Sequence, residues 1–438
     1  MLLGIINGGA VQAVQPTPKL SDTGVFSAMS EQRFAGSVVP YQVISPLWSD
    51  GSYKTRGLWL PSGTKIDFSR DGSWTFPLKT VMIKNFYMDL VANQHKRQII
   101  ETRFLIKESA EHWTGYSYRW NENGTEATLL PDRATRTLNL VEDQQNGRED
   151  RYTYEFPNGE DCTTCHVAEA GFVLGLKTAQ LNTEHPIGEQ LQNQLRTFSD
   201  LDLFSTDIGN DFDRMPRLVD PMDESADLDS RARSYLDANC SNCHRPEVVG
   251  RTVMDMRSSA SLEEMDLLYV YPAWGYMDSE APSLITPGQP ENSILFLRMA
   301  DQGAYRMPKL ASSRLDEKAL FLMRRWIMHL GGETADTAVS SALTSPVKTH
   351  LHQNIPNPLN PHTIIGYDVD RAGLIKVDIY NMTGQKVRTL FQGEQMPGYY
   401  TAYWDGRDEA GAVVGPGVYL YQLQAGKFRQ VRKMTVLK

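Results

Sequence analysis

The chain has 438 residues, 41% of them hydrophobic, and its 44 basic and 53 acidic side chains give a formal net charge of −9. That length and apolar content suffice for about three or four globular domains. The acidic balance gives no support to a nucleic-acid or anionic-membrane partner, and no run of about 18 apolar residues is present to cross a bilayer as a helix.

Residues 1–20 read as the remnant of a signal peptide. Met1-Leu2-Leu3-Gly4-Ile5-Ile6 through Val11-Gln12-Ala13 has the short apolar run and small-residue end, without the usual basic residues before them. From 21 to 158 the chain is rich in Trp, Tyr, Thr and Val. Runs such as Leu58-Trp59-Leu60, Thr80-Val81-Met82-Ile83 and Tyr116-Ser117-Tyr118-Arg119-Trp120 alternate with turn signals such as Ser49-Asp50-Gly51-Ser52 and Asn121-Glu122-Asn123-Gly124. Strands and turns at this pace predict a β-sandwich, its aromatic residues in the core rather than in a substrate groove.

All four cysteines fall in two pentapeptides, Cys162-Thr163-Thr164-Cys165-His166 and Cys240-Ser241-Asn242-Cys243-His244. This is the attachment signature of c-type haem. Two thiols a helical turn apart can each add to a vinyl group of one porphyrin while the adjacent imidazole binds the iron. The competing readings are a four-thiolate zinc site and two structural disulfides, and neither needs a histidine. With 9 His in the chain, about 2% of positions, a His after both motifs by accident has a probability on the order of 0.04%. Two covalently attached c-type haems are therefore the expected cofactors, with His166 and His244 as iron ligands. Thioether attachment occurs outside the cytoplasm, so this reading requires export.

Residues 159–225 form the first haem-binding segment. Tyr152-Thr153-Tyr154-Glu155-Phe156-Pro157 reads as a strand and turn, so no amphipathic helix leads into Cys162. Candidates for the sixth ligand of this iron are His185 and Met215, with an open position or a ligand from the β-domain, His95 or His112, as alternatives. Over 226–332 the period turns helical. Ser225 to Asn239 places Leu228, Ala232, Tyr235 and Leu236 on one face and runs into Cys240. A second helix is predicted from Ser313, with Asp316 three residues on, through Leu315, Ala319, Leu322, Trp326 and Leu330 to Gly331-Gly332. A helix, C-x-x-C-H and a closing helix with an inner aromatic resemble a class I cytochrome c domain. Met307, in Arg306-Met307-Pro308 ahead of the closing helix, is the expected sixth ligand of the second iron, with Met299 as fallback.

Residues 333–349 are a Ser/Thr/Ala-rich linker. Beyond it, 350–438 carries about seven short strand patterns, with turns at Asn381-Met382-Thr383-Gly384 and Asp405-Gly406-Arg407-Asp408. That predicts an immunoglobulin-like sandwich. The expected fold class is thus multidomain α+β: an N-terminal β-sandwich, a helical cytochrome c region with two haem motifs, and a C-terminal Ig-like β-sandwich.

Two resemblances extend this. Asn354-Ile355-Pro356-Asn357-Pro358-Leu359-Asn360-Pro361, Trp404-Asp405-Gly406-Arg407-Asp408, Gly415-Pro416-Gly417-Val418-Tyr419 and Arg432-Lys433-Met434-Thr435-Val436-Leu437-Lys438 resemble the type A sorting domains of type IX secretion cargo. Those domains are similar to the Ig-like domain of flagellar hook-capping proteins. The resemblance implies the type IX secretion machinery as a partner and delivery to the cell surface or medium. Ser45-Pro46-Leu47-Trp48-Ser49-Asp50-Gly51, Ile100-Glu101-Thr102-Arg103-Phe104-Leu105, Gly171-Phe172-Val173-Leu174-Gly175, Arg231-Ala232-Arg233-Ser234-Tyr235-Leu236-Asp237-Ala238-Asn239-Cys240 and Ile285-Thr286-Pro287-Gly288 resemble a family of exported diheme c-type proteins over residues 20 to 330. That resemblance implies the two haems and the β-domain, and no reaction.

The functional expectation is extracytoplasmic electron transfer, with a redox protein or extracellular acceptor as partner. A peroxidase-like or substrate-oxidising haem enzyme is the alternative, and surface adhesion a third class. No acid/base pair, nucleophile elbow or phosphate loop is legible in the chain.

Overall fold

A computed structural model describes residues 14–437 except 92–96, 144–147, 188–189, 249–253, 273–282, 302, 304, 310–312, 332–348, 355–356, 360–362 and 397. The signal-like start, His95 and nearly all of the linker lie outside the described residues. The chain divides into two compact units, Met1–Pro221 with Arg233–Asp266, and Met222–Ala232 with Leu267–Lys438.

The first unit begins with the hairpin β1 (Phe26–Ala28) and β2 (Arg33–Phe34). Strands β3 (Val38–Tyr41), β4 (Tyr53–Trp59), β5 (Val81–Asp89), β6 (Arg97–Ser109), β7 (His112–Trp120) and β8 (Ala127–Leu129) follow in spatial order as one antiparallel meander. Register sets Leu58, Met82 and Leu105 side by side on one face and Trp59, Val81 and Ile106 on the other. Because both faces of β5 and β6 are apolar, both must be covered. The first face packs on Val173, Leu176, Leu181, Leu195, Phe198 and Phe204, which come from residues 159–225. The second, which also carries Phe104 and Trp120, packs on Val14, Leu20 and Val25. The hairpin β9 (Ala134–Asp143) and β10 (Arg148–Phe156) carries a third cluster with Met88, Leu90 and Ile100.

The expected sandwich is therefore sandwich-like in an uneven way: its second layer over one face is formed by residues 159–225 rather than by a full sheet. Trp59, Trp74, Trp113 and Trp120 are buried, as expected of core aromatics. The segment itself consists of α1 (Gly159–Thr163), α2 (Thr178–Leu181), the hairpin β11 (Glu184–Ile187) and β12 (Gln190–Asn193), and α3 (Gln194–Asp200).

Helix α4 (Leu228–Asn239) buries Ala232, Tyr235 and Leu236. It starts three residues later than the Ser225 expected, because the Asp227 side chain accepts from the Ser230 N–H at 2.9 Å and caps it. In the second unit, α5 (Ile294–Ala300) precedes α6 (Glu317–Leu330). The cap of α6 is Asp316, accepting from the Ala319 N–H at 3.0 Å, rather than Ser313. Trp326 is fully buried and its indole N–H donates to Asp229 at 2.8 Å. This satisfies the one polar atom of an otherwise apolar side chain.

The C-terminal module has seven strands: β13 (His350–Leu351), β14 (Thr363–Val369), β15 (Gly373–Asn381), β16 (Lys386–Gln395), β17 (Gly398–Trp404), β18 (Gly417–Ala425) and β19 (Phe428–Val436). They form sheets ordered β13-β14-β17 and β16-β15-β18-β19, enclosing Leu351, Ile365, Tyr367, Val377, Ile379, Trp404, Tyr421 and Leu423. Tyr421 ties the strand-poor entry to the core: its hydroxyl donates to the His352 carbonyl and accepts from the Asn354 N–H, both at 2.8 Å. Leu359 pairs with β19 through bonds to Thr435 and Leu437, so the Asn-Pro segment and the closing residues meet at one sheet edge. Among the described residues no helix is long and apolar enough to cross a membrane.

Candidate functional site

The two cysteine motifs adopt the same local geometry. After β10 the Asn158 and Asp161 side chains and backbones bond reciprocally, at 3.1 and 3.0 Å, to start α1. The turn then continues past the helix, with the N–H groups of Cys165 and His166 donating to the Cys162 carbonyl at 3.2 and 3.0 Å. At the second motif the N–H groups of Cys243 and His244 donate to the Cys240 carbonyl at 3.0 and 2.9 Å. Each motif is thus one helical turn, the spacing at which two thiols and an imidazole can serve one planar group.

None of the four cysteines is in a disulfide. No group of three or more His, Cys, Asp or Glu set to hold a metal ion occurs among the described residues. A c-haem needs no such cluster, since each motif supplies one axial histidine.

The first motif rests on the apolar face of the sheet. A Cβ added at Gly115 of β7 would stand 2.5 Å from the Cys162 sulfur, so only glycine lets α1 approach this closely. The His166 Nδ1 lies 2.5 Å from the Phe172 carbonyl. A carbonyl can only accept, so Nδ1 carries the proton and donates, and the Nε2 lone pair is left for a ligand. Iron-ligating histidines require this tautomer and this kind of second partner. Phe172 has φ of 61° and follows Gly171 at 72°. That left-handed step, which costs a non-glycine residue roughly 1–2 kcal/mol, turns the carbonyl back toward the ring. Burial, with Lys84 and Arg103 adding to it, pulls the imidazole down to about 4 against the Phe172 bond, so the ring is neutral near pH 7. Burial pushes the Cys162 thiol up, and burial with Cys243 beside it raises Cys240 to about 12.

Two segments of the diheme resemblance, Ser45–Gly51 and the end of α4, meet beside the second motif. Ser45 bonds the Ser234 carbonyl at 2.9 Å and its backbone pairs with the Gln180 side chain. The Trp48 N–H donates to Asn239 at 2.7 Å, one residue before Cys240. Lys177 pairs with the buried Asp237, whose other oxygen accepts from Ser258. The motifs are also joined to each other. Arg245, next to His244, donates to the Glu169 carbonyl, three residues beyond His166, at 3.1 Å, while its Nε donates to the Ser241 carbonyl at 2.6 Å.

The sixth-ligand candidates are distributed as follows. His185 lies in β11 with its Nδ1 buried and without a hydrogen-bond partner, and burial lowers its pKa. Met215 packs against the core cluster beneath the sheet. His112 is exposed at the start of β7. Met307 lies in the second unit, half-buried in the loop ahead of α6, its N–H donating to the Arg298 carbonyl at 2.9 Å. Met299 is on α5.

Sequence reasoning missed a row of basic residues beside the first motif. Register places Tyr41, Arg56, Lys84, Arg103 and Ser117 next to one another across five strands, and cross-strand partners share a face. It is the face on which Cys162 sits. Glu101, one step along the same face, accepts from Arg103 and from the Tyr154 hydroxyl, each at 2.7 Å. Arg103 also lies over the Phe86 ring at 4.2 Å. Burial, then Arg56, Lys54 and Arg103, push Lys84 well below its ordinary value against the pull of Glu101. Burial likewise lowers Arg56 and raises Tyr41 to about 12.

The C-terminal module is an Ig-like domain of the FlgD type: the family model described as the FlgD Ig-like domain matches residues 368–427. Solved structures similar to the chain include dimeric latent PorU from Porphyromonas gingivalis, at 21% identity over 20% of this chain with a TM-score of 0.17. FlgD from P. aeruginosa is 19% identical over 18% of the chain with a TM-score of 0.15. PorZ, a surface component of the type-IX secretion system of Porphyromonas gingivalis, is 23% identical over 20% with a TM-score of 0.15. The chain spans 9, 62 and 11% of those three chains, respectively. No curated protein matches the chain.

Proposed function

We propose that the protein is an exported diheme c-type cytochrome that passes electrons outside the cytoplasm, with its FlgD-type domain as a type IX sorting signal. The observation that carries this reading is the Arg245–Glu169 hydrogen bond, which holds the two C-x-x-C-H turns side by side within one compact unit. Bound at those turns, two c-haems would supply one-electron redox chemistry at neighbouring centres. The residues' own tasks follow from their geometry. Cys162, Cys165, Cys240 and Cys243 present thiols in pairs. His166 is held by Phe172 in the tautomer that leaves Nε2 open. Lys177 and Asp237 clamp α4 to the segment after the first motif, so the frame has little room to reorganise.

The test is stoichiometric electron exchange between the reduced protein and an outer-sphere acceptor, compared with reoxidation by hydrogen peroxide under steady donor supply. Electron exchange with no sustained peroxide consumption is expected. Turnover of many peroxides that cyanide abolishes would replace the carrier with a peroxidase.

On its place in the sequence, ahead of the closing helix, we propose Met307 as the sixth ligand of the second iron. The Met307→Ala protein is expected to lose the weak near-infrared sulfur-to-iron band and to fall in potential, since a thioether favours the reduced iron. An unchanged band would return Met307 to packing and move the assignment to Met299.

A further inference from the structure

The basic row on the sheet face has no use in the reading above. Arg56, Lys84 and Arg103 occupy successive cross-strand positions on β4, β5 and β6. Arg56 and Lys84 have no hydrogen bond or salt bridge among the described residues. The single carboxylate nearby, Glu101, is shared by Arg103 and Tyr154. The Nε of Arg103 and the Oε1 of Glu101 are buried without hydrogen-bond partners. These cations, with Lys54 on the same face, outnumber the one carboxylate in a poorly solvated place and destabilise one another. The repulsion is relieved when Lys84 gives up its proton or when further negative charge enters, and only the second keeps the row cationic.

The position of the row says which anion that is. The face holding it carries Cys162 against Gly115, the next position of the same face on β7. Arg103 pairs with Ser117, two residues along β7 from Gly115, so the end of the row stands beside the first motif. We propose that Arg56, Lys84 and Arg103 form the propionate-binding site of the first haem, the positive charge of the row, with Lys54 on the same face, exceeding what Glu101 balances and leaving a place for two carboxylates. This rests on the diheme reading. Arg56 and Lys84, without a hydrogen bond or salt bridge among the described residues, would take the carboxylates directly, Lys84 from its place 5.3 Å from the Phe86 ring, and Arg103, fixed by Glu101 and the same ring, would close the row. Neutralised propionates also favour the reduced haem, so the row sets the first potential apart from the second.

The experiment is a spectroelectrochemical titration of the full-length, haem-loaded protein and its Lys84→Gln, Lys84→Arg and Arg56→Gln variants. Lys65→Gln, which loses a surface pair with Asp202, serves as control. The wave of the first haem is the one that survives in the Cys240→Ala/Cys243→Ala protein. Lys84→Gln and Arg56→Gln are each expected to lower the reduced-to-oxidised ratio of the first haem about tenfold at fixed potential, a shift of about 59 mV for a one-electron couple. The second wave, Lys84→Arg and Lys65→Gln stay at the wild-type values. If Lys84→Gln instead loses the first haem while Lys84→Arg retains it, the charge requirement is also met. Unshifted waves with two haems bound, or equal shifts in both waves, would overturn the propionate site while leaving the cytochrome intact. Wild-type protein without covalent haem would overturn the function itself.

Discussion

Replacing Cys240 and Cys243 together by alanine is expected to halve the covalent haem, from two per chain to one, and the Cys162→Ala/Cys165→Ala protein is expected to do the same. The argument is chemical. Each motif is a complete turn with its own thiol pair and its own imidazole, so each attaches its group independently. A thioether survives denaturation and acid-acetone extraction, whereas an iron–imidazole bond alone does not. Pyridine haemochrome analysis of the extracted chain reads the number directly. A wild-type value of one, zinc in place of iron, or two haems persisting in either double variant would remove the diheme assignment.

The second large effect concerns location. With residues 350–438 removed, the protein is expected to remain in the periplasm of its native host with both haems attached. The module closes its own core around Trp404 and Tyr421, and both haem motifs lie in the other compact unit. Haem attachment therefore has no need of it. Fractionation of cells followed by haem staining separates the outcomes, and normal surface display of the truncated chain would rule out a sorting role.

Much of the candidate site was legible because its chemistry is local. The thiols and imidazole of each motif lie within five consecutive residues, one helical turn, and a turn needs no long-range contact to be recognised. The faces of α4 and α6 were legible for the same reason. Ala232, Tyr235 and Leu236, and Ala319, Leu322 and Trp326, repeat at the helical period and are buried. Where two nearby side chains compete to cap a helix, local pattern is less decisive. Asp227 and Asp316 start the helices because their carboxylates reach the third N–H, and the earlier serines remain outside. The seven strands of the C-terminal module were visible as alternating runs closed by Gly and Asp turns, and the pairing of Leu359 with β19 was not.

What the sequence by itself determined about this protein is its set of local chemical units: two C-x-x-C-H turns, two amphipathic helices, a β-rich first region and an Ig-like end. Only the tertiary structure decided what stands beside them. Arg56, Lys84 and Arg103 are far apart in the chain, and each looks like an ordinary polar residue in an alternating strand. Antiparallel register alone makes them a row, because a slip of one residue in any strand would send its cation to the opposite face. The Phe172 carbonyl that orients His166 depends on a left-handed turn at Gly171 and Phe172. The contact of Arg245 with Glu169, 76 residues apart in the chain, joins the two motifs in a ring whose closure no local preference encodes. Local chemistry announces itself along the chain, while charge placed by register and contacts closed over long loops exist only once the sheet has formed.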